Sequence, residues 1–401
     1  MKKVLILDTG KEWGGGTNSL LELLKRIDRD KYHFSVLFYN NYKKGEASDI
    51  KTEIEKLGIE FLVLEQGEQP VIAKCLKEML RLVLFFNKKL KKYGIFFIDY
   101  HFRIKKNAAK ITGILKVRKI DLLYMNNQPS SNLEGIIASK MINVPALQHS
   151  RIETKLNPFE VKAVNQYLAK MICVSEGVKN AFVKQGVTAS RCAVVHNGID
   201  PELQPRIEPH EIRKKWDIPE NDILTGTVGS LIKRKRIKDL VEAIHIITTK
   251  TDNSIKCLII GEGPERDNLI ELVKRKNLND KIIFTGFQTD AVSYINAMDV
   301  FVMTSEQEGL PRVILEAMLM GKPVVASDIT GPSELVIDKE SGLLVTAGKP
   351  GMFADAILKL VENRELKMQM GKKARSLTIE KFSMERYVKG VQRVFAGVLD
   401  G

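Results

Sequence analysis

Cysteine is scarce in this chain, and the few that occur are far apart. The 401 residues contain four cysteines, with no C-x-x-C pair among them: Cys75, Cys173, Cys192 and Cys257. Closely spaced cysteines are the usual signature of zinc sites and of disulfide frameworks in small secreted domains. Neither kind of site is therefore expected. The cysteines in apolar runs are predicted to be small core residues of a protein in a reducing cytoplasm.

Long apolar runs are missing as well. No stretch approaches the length of about 18 residues that a membrane-spanning helix needs. The apolar run after Met1 stops at Asp8. It is too short for a signal peptide and predicts a first strand instead. Hydrophobic residues still make up 44% of the chain, which predicts a sizeable core, and the length suggests roughly two to three domains.

Acidic residues are nearly absent from one segment. The formal net charge is +14, and Lys74 to Lys119 contains 14 Lys or Arg residues against two acids. A basic amphipathic helix is predicted at its start, because six apolar residues share one helical face: Leu76, Met79, Leu80, Val83, Phe86 and Leu90. Such a helix can lie on an anionic membrane surface, or it can pack on its own sheet with solvated lysines. A nucleic-acid patch is disfavoured, since no stacking aromatics are interleaved with the charge.

The most informative stretch runs from Asp299 to Glu334. An apolar run over 300–303 predicts a buried strand, and a polar loop follows it. Pro311 stands where a helix would begin, a position where its fixed φ is favourable. Gly321 ends that helix, and a second apolar run over 324–327 predicts another strand. The pattern is that of a strand–helix–strand unit in a parallel sheet.

Two carboxylates flank the predicted start of this helix. Glu308 lies in the loop and Glu316 on the helix. The amides of a helix N-terminus attract phosphate, and Gly309 lets a ligand approach the backbone closely. Carboxylates repel phosphate but accept hydrogen bonds from sugar hydroxyls, so the arrangement suits a diphosphate with a sugar on each side. The alternative is that Glu308 is an ordinary loop charge and Glu316 a solvated helix residue.

The order of these motifs resembles a known signature. Glu308, Gly309, Leu310 and Pro311 spell E-G-L-P, with Glu316 following, then A-M-x-x-G-K-P-V-V-A-S-D and a glycine before S-E-L-V. This resembles glycosyltransferase family 4. The resemblance implies an α/β GT-B fold, in which two Rossmann-like domains face each other across a cleft. It also implies sugar transfer with retention of anomeric configuration, in which the leaving phosphate helps to deprotonate the acceptor.

Looser motifs occur in the first half. Alternating strand and helix patterns predict a parallel sheet covered by helices. Gly15 and Gly16 lie in a glycine loop between the first strand and a helix, which is either a phosphate-approach loop or a plain tight turn. His149 is predicted to follow a strand ending at Gln148, where α/β ligands bind. The resemblance implies that the glycines lie near donor phosphate and acceptor and that His149 faces the donor sugar.

A basic loop follows the predicted strand 223–228. In the resembled family this loop carries an arginine and then a lysine followed by glycine. Lys235 matches the lysine, which the resemblance implies binds diphosphate. Ser230 stands at the arginine position and Arg236 at the glycine position, so that either Arg234 or Arg236 is left as the second cation. Phe287 follows another strand and is either a stacking partner for the nucleobase or a packed core aromatic.

Together these patterns predict an N-terminal acceptor-side domain over 1–201 and a C-terminal nucleotide-sugar-binding domain over 202–381. A final helix over 382–401 is expected to return to the first domain. The predicted function is a glycosyltransferase that uses a UDP- or GDP-sugar, with an envelope glycan or lipid-linked acceptor. We expect no nucleic-acid partner, no cofactor and no metal, since no D-x-D motif occurs at the site. The expected location is the cytoplasm or the inner face of the membrane. An epimerase, a hydrolase or a non-catalytic nucleotide-sugar-binding protein remains open.

Overall fold

The computed structural model describes residues 1–9, 14–44, 48–251 and 254–400. They form two compact units, each with its own sheet. The first unit comprises Met1–Val174, Lys179–Val195 and Gly390–Gly401, and the second comprises Ser175–Val178 and His196–Lys389. The division therefore lies at 195/196, six residues before the boundary expected from the sequence. None of the described helices is both long and apolar enough to cross a membrane.

The first unit is built on a seven-stranded parallel sheet with the order β5-β2-β1-β6-β7-β8-β9. Its strands, including a separate two-stranded ribbon of β3 and β4, are β1 (Lys2–Asp8), β2 (Tyr32–Phe38), β3 (Lys43–Lys44), β4 (Ser48–Asp49), β5 (Glu60–Val63), β6 (Leu122–Asn127), β7 (Ala146–Ser150), β8 (Lys170–Cys173) and β9 (Cys192–Val194). Its helices are α1 (Gly15–Arg26), α2 (Ile50–Glu55), α3 (Val71–Val83), α4 (Lys88–Asp99), α5 (Lys105–Arg118), α6 (Leu133–Ile142), α7 (Pro158–Tyr167) and α8 (Glu176–Lys184), the last of which begins in the second unit.

Strand β1 lies inside this sheet and pairs in parallel with β2 and β6. Its residues 4–7 are completely buried, as a near-continuous apolar run in a parallel sheet should be. The end of the chain packs nearby: Phe395 makes edge contacts with Tyr32 and Tyr124, with ring centroids 5.5 and 5.2 Å apart. The sequence prediction that the last helix returns to this sheet is confirmed.

The predicted basic helix is not continuous, and this expectation was wrong. Helix α3 ends at Val83, residues 84–87 form a turn, and α4 begins at Lys88. Asn87 caps α4 because its side chain accepts a hydrogen bond from the Leu90 amide at 3.0 Å. The apolar face is also divided, since Leu80 is partly buried whereas Val83 is 59% exposed.

The second unit has a six-stranded parallel sheet with the order β12-β11-β10-β13-β14-β15. The strands are β10 (Ile223–Val228), β11 (Ile255–Ile260), β12 (Ile282–Gly286), β13 (Val300–Met303), β14 (Val324–Ser327) and β15 (Gly342–Val345). The helices are α9 (Pro209–Lys215), α10 (Ile237–Lys250), α11 (Arg266–Arg275), α12 (Ala291–Ala297), α13 (Arg312–Leu319), α14 (Pro332–Leu335), α15 (Pro350–Glu362), α16 (Arg364–Lys381) and α17 (Met384–Leu399), which ends in the first unit.

The core of the second unit is formed by the inner strands and by the apolar faces of α10 and α15. Val300 and Val302 of β13 are completely buried, as are Leu240 and Ile244 of α10. The predicted α/β alternation is therefore confirmed in both units, and each has a Rossmann-like doubly wound sheet.

Candidate functional site

Strand order fixes where the second unit can bind a ligand. From β10 the chain proceeds to β11 and β12 on one side, and then returns to place β13 directly beside β10 on the other. Both strands are parallel, so the loops that follow them leave the sheet at the same edge. Ligands of open α/β sheets bind at such a reversal of strand order. Here those two loops carry the predicted basic cluster and the predicted E-G-L-P segment.

The loop after β10 is shaped to place Lys235 above the end of the strand. Gly229 has φ +155°, and a Cβ built on it would lie 3.6 Å from the Lys235 Nζ atom. Residues 233–235 form a short 3-10 turn, and Arg236, in the left-handed region, is the cap residue that precedes α10. The Thr304 hydroxyl donates to the carbonyl oxygens of Lys235 and Arg236, both at 3.0 Å. This threonine follows β13, so it ties the two loops together.

Glu308 pairs with two of the four cations of the basic cluster, Lys235 and Arg234. Its Oε1 atom lies 2.6 Å from Lys235 Nζ and 3.4 Å from Arg234 Nη1. The carboxylate is only 7% exposed, while the Arg234 side chain is 36% exposed. Arg234 also donates to the Gln307 carbonyl at 2.8 Å. Two positive charges on one buried carboxylate leave a net charge of about +1.

The protonation state of Glu308 follows from these neighbours. Burial by itself would raise the pKa of this carboxyl, but the charges of Lys235 and Arg234 and the Lys235 hydrogen bond outweigh burial. The pKa of Glu308 therefore lies below its ordinary value of 4.5. The group is an ionised hydrogen-bond acceptor at neutral pH.

Arg236 is committed elsewhere. Its Nε atom lies 2.6 Å from Asp239 Oδ2, and its Nη1 atom lies 3.4 Å from Glu306 Oε2. The Asp239 hydrogen bond raises the pKa of Arg236. The sequence left Arg234 and Arg236 open as the second cation, and the geometry places Arg234 beside Glu308 instead of Arg236.

The E-G-L-P segment leads into α13. Helix α13 begins at Arg312, one residue after the predicted start, with Pro311 as its cap residue. The carbonyl of the buried Leu310 accepts from Asn197 Nδ2 at 2.8 Å. A Cβ on Gly331, which has φ +92°, would lie 2.4 Å from the Gly309 carbonyl oxygen. Only glycine at 331 therefore permits this loop path.

Glu316 lies in the middle of α13 with its side chain 15% exposed. Its Oε1 atom is 3.8 Å from Arg312 Nη2, one helical turn before it. Its predicted role, to accept hydrogen bonds from ribose hydroxyls, stays a prediction.

Two other predicted donor contacts are on the surface. Ser230 is exposed in the loop after β10. Phe287 directly follows β12 and is 48% exposed. It is therefore not a packed core aromatic, and its ring is available for stacking.

The first unit has its own reversal of strand order, between β1 and β6. The sequence predicted that Gly15 and Gly16 lie in a loop. They are instead the first two residues of α1, with Gly14 as the cap residue. The error arose because glycine was taken as a turn signal. A Cβ on Gly15 would meet no described atom within 4 Å, whereas one on Gly16 would lie 3.3 Å from the Arg151 side chain.

Sequence reasoning missed a polar cluster at this edge. The buried Asp8 at the end of β1 accepts hydrogen bonds from Asn126 Nδ2, at 2.7 Å, and from Asn127 Nδ2. Asn126 Oδ1 in turn accepts from Arg151 Nε at 2.8 Å. The available signal was that Asp8 and the two asparagines each end an apolar run.

His149 lies inside β7, not after the strand as predicted, because β7 extends to Ser150. The ring is completely buried, and its Nδ1 atom lies 2.5 Å from the Tyr124 hydroxyl. Burial, together with the charge of Arg151, holds the pKa of His149 well below its ordinary value of 6.5. The imidazole is neutral at pH 7, and its predicted contact with the donor sugar remains untested.

Among the described residues, no group of three or more His, Cys, Asp or Glu side chains is arranged to hold a metal ion.

Comparison with known proteins connects both units to one family. The profile described as "Glycosyltransferase Family 4" matches residues 13–203, and that described as "Glycosyl transferases group 1" matches residues 209–377. The N-acetyl-alpha-D-glucosaminyl L-malate synthase of Bacillus anthracis is 24% identical over 73% of this chain and 78% of that protein. The capsular polysaccharide biosynthesis glycosyltransferase CapM of Staphylococcus aureus is 26% identical over 74% of this chain and 84% of its own.

The crystal structure of Anabaena HepE in complex with UDP is similar in fold. Its TM-score is 0.79, and the similarity covers 99% of this chain and 100% of HepE at 22% identity.

Proposed function

The chain belongs to glycosyltransferase family 4 and has the GT-B fold, and we propose that it transfers a sugar from a UDP-sugar to an acceptor hydroxyl with retention of configuration. HepE binds UDP and has the same fold, which favours UDP over the GDP that the sequence left open.

The observation that carries this proposal is the pairing of Lys235 and Arg234 with Glu308 where β10 and β13 meet. A leaving nucleoside diphosphate gains negative charge as the bond to the sugar breaks. The cluster presents two fixed cations and a net positive charge to that group, and the N-terminus of α13 adds a positive dipole end. Such preorganised electrostatic stabilisation is usually the largest contribution to catalysis.

Each carboxylate then has a separate role. Glu308, ionised and anchored by Lys235, accepts hydrogen bonds from hydroxyls of the transferred sugar. Glu316 accepts from the ribose hydroxyls of the nucleotide. The bond between the anomeric carbon and the phosphate oxygen breaks, and the acceptor oxygen forms its bond on the same face of the sugar. The acceptor proton passes to the leaving phosphate, so no protein base is required.

We propose further that the reaction needs no divalent metal. Lys235 and Arg234 supply the positive charge that a metal would otherwise bring to the diphosphate. Turnover should therefore survive an excess of EDTA, and a loss restored by Mg²⁺ or Mn²⁺ would contradict this part. The anomeric configuration of the product, read by NMR from the coupling of its anomeric proton, tests retention.

The acceptor class is inferred from the relatives. CapM acts in capsular polysaccharide biosynthesis, and the acceptor proposed here is a hydroxyl of an envelope glycan or of its lipid-linked precursor.

The decisive experiment is donor binding in the wild type and in Glu316→Ala. Thermal unfolding is measured with UDP, GDP, ADP and TDP, and a ligand at 100 times its dissociation constant adds about 2.7 kcal/mol of stability. UDP should stabilise the wild type, and Glu316→Ala should lose that effect. Glu271→Ala, which changes an exposed glutamate on α11, is the matched control and should respond as the wild type does.

Donor consumption without acceptor separates the proposal from the alternatives. A transferase should leave a UDP-sugar largely intact until an acceptor is added. An epimerase or hydrolase would convert the donor alone, and a binding protein would show stabilisation by UDP without any turnover.

A further inference from the structure

The helical hairpin formed by α3, residues 84–87 and α4 exposes an unusual amount of apolar surface. Helix α3 buries only Ala73, and α4 buries none of its residues. Half of the large apolar side chains that are exposed among the described residues fall between Val71 and Phe97. Exposed apolar residues normally occur singly, and a contiguous patch indicates a contact surface.

Three of these side chains share one face of α3. Ile72, Met79 and Val83 recur at helical spacing on α3 and are 59%, 52% and 59% exposed. At the turn, Phe85 and Phe86 are 73% and 72% exposed, and their rings touch edge to face. The hairpin therefore ends in two adjacent, solvent-facing aromatic rings.

The two helices of the hairpin are joined by a polar cluster and by a close apolar contact. Lys77 is only 13% exposed, and its Nζ atom lies 2.5 Å from Asp99 Oδ1 of α4 and 2.7 Å from Gln69 Oε1. Leu80 packs so closely on Gly94 that a Cβ there would lie 2.7 Å from a Leu80 methyl carbon. These contacts fix α3 against α4, while the apolar side chains named above stay exposed.

The charge around the exposed apolar side chains of the hairpin indicates what kind of partner covers them. Lys74, Lys88, Lys89 and Lys92 are exposed, and no carboxylate among the described residues lies within ion-pair distance of any of them. A second copy of the chain would bring like charges together. An anionic bilayer instead offers phosphates for the lysines and acyl chains for the aromatic tip.

We propose that this hairpin docks the protein on an anionic phospholipid surface, with Phe85 and Phe86 entering the acyl boundary and the lysines contacting lipid phosphates. This inference does not depend on the proposed function, because the surface uses none of the residues of the Lys235–Glu308 site.

Vesicle sedimentation tests the proposal. The wild type should bind vesicles of phosphatidylglycerol and phosphatidylcholine and should bind pure phosphatidylcholine far more weakly. Since a lysine near the surface contributes roughly fivefold, Lys88→Ser/Lys89→Ser should weaken anionic binding by about 25-fold. Lys372→Ser/Lys373→Ser removes the same charge from exposed positions on α16 and should have little effect.

The aromatic tip is tested separately. Phe85→Ser/Phe86→Ser should weaken vesicle binding on the order of a hundredfold, without lowering the melting temperature, because both rings are already exposed. Met352→Ser/Met368→Ser changes exposed apolar residues of the second unit and serves as control. In Phe86→Trp, brominated acyl chains should quench the added fluorescence once the wild-type signal is subtracted.

Two results would overturn the proposal. Equal binding to neutral and anionic vesicles would remove the charge argument. Dimerisation in solution that Phe85→Ser/Phe86→Ser abolishes, with no vesicle binding by the wild type, would show that a second copy covers the hairpin. Both readouts are independent of turnover, so failure here leaves the proposed transferase reaction untouched.

Discussion

Replacing Glu308 with glutamine separates charge from shape at the proposed site. The wild-type carboxylate is 7% exposed and holds Lys235 at 2.6 Å and Arg234 at 3.4 Å. Removing one partner of a buried ion pair costs about 3–5 kcal/mol. Arg234 keeps access to water, and glutamine retains one acceptor oxygen. We therefore expect Glu308→Gln to lower the free energy of unfolding by a smaller amount, about 2 kcal/mol.

The same substitution should change binding and turnover in opposite directions. The cluster goes from a net charge of about +1 to about +2, which favours a diphosphate, so UDP should bind as tightly as in the wild type or a few-fold tighter. The transferred sugar loses a charged acceptor, and kcat should fall by roughly a hundredfold. Calorimetry with UDP and a radiolabelled-donor transfer assay measure the two effects.

Glu306→Gln is the matched control, because Glu306 lies in the same loop with its side chain 51% exposed. It should leave both UDP binding and kcat near wild-type values. Unchanged kcat in Glu308→Gln, or weaker UDP binding, would refute the assignment of Glu308.

The remaining predictions concern the cations, pH and the start of α1. Arg234→Ala should weaken UDP binding by roughly tenfold. Arg236→Ala should leave UDP binding unchanged but should destabilise the protein by about 2 kcal/mol, because it leaves the buried Asp239 unpaired. The reverse pattern, measured by calorimetry and by unfolding, would contradict the geometry. Because the pKa of Glu308 is lowered in the folded state, the stability that this group contributes is present above pH 4.5 and is lost as the pH falls through the lower folded value. Urea unfolding should therefore show that the free energies of unfolding of the wild type and of Glu308→Gln converge in acid. Gly15→Ala should raise the free energy of unfolding by about 0.5–1 kcal/mol, because alanine favours a helix and its Cβ meets no described atom. If donor or acceptor binds close to the start of α1, the added methyl group should lower turnover. Unchanged kinetics would argue against binding there.

Local sequence patterns predicted the strands and helices well. Apolar runs such as 300–303 and 223–228 coincide with β13 and β10, because a strand that is buried on both faces must be apolar throughout. The E-G-L-P segment and Lys235 could also be singled out, because the residue types and their order are enough to indicate their chemistry.

Side-chain direction could not be predicted in the same way. Four consecutive basic residues, 233–236, give no sign of which will meet Glu308. That choice depends on the 3-10 turn and on Arg236 in the left-handed region, which sends its guanidinium to Asp239. Neither feature is periodic, so hydrophobic patterning does not report it.

The order of strands in a sheet is likewise a property of the whole unit. Asp8 is more than a hundred residues from Asn126, and only the pairing of β1 with β6 brings them together. Similarly, the basic segment was predicted as one helix, because its apolar spacing continues through the turn that Asn87 stabilises.

The most direct test of the central claim is the stabilisation of Lys235→Met by UDP. The wild type with UDP at 100 times its dissociation constant should gain about 2.7 kcal/mol. A hundredfold loss of affinity in Lys235→Met would reduce that gain to about 0.4 kcal/mol at the same UDP concentration. Lys238→Met, an exposed position on α10, should keep the full gain. Equal stabilisation of Lys235→Met and Lys238→Met would contradict the proposed diphosphate site.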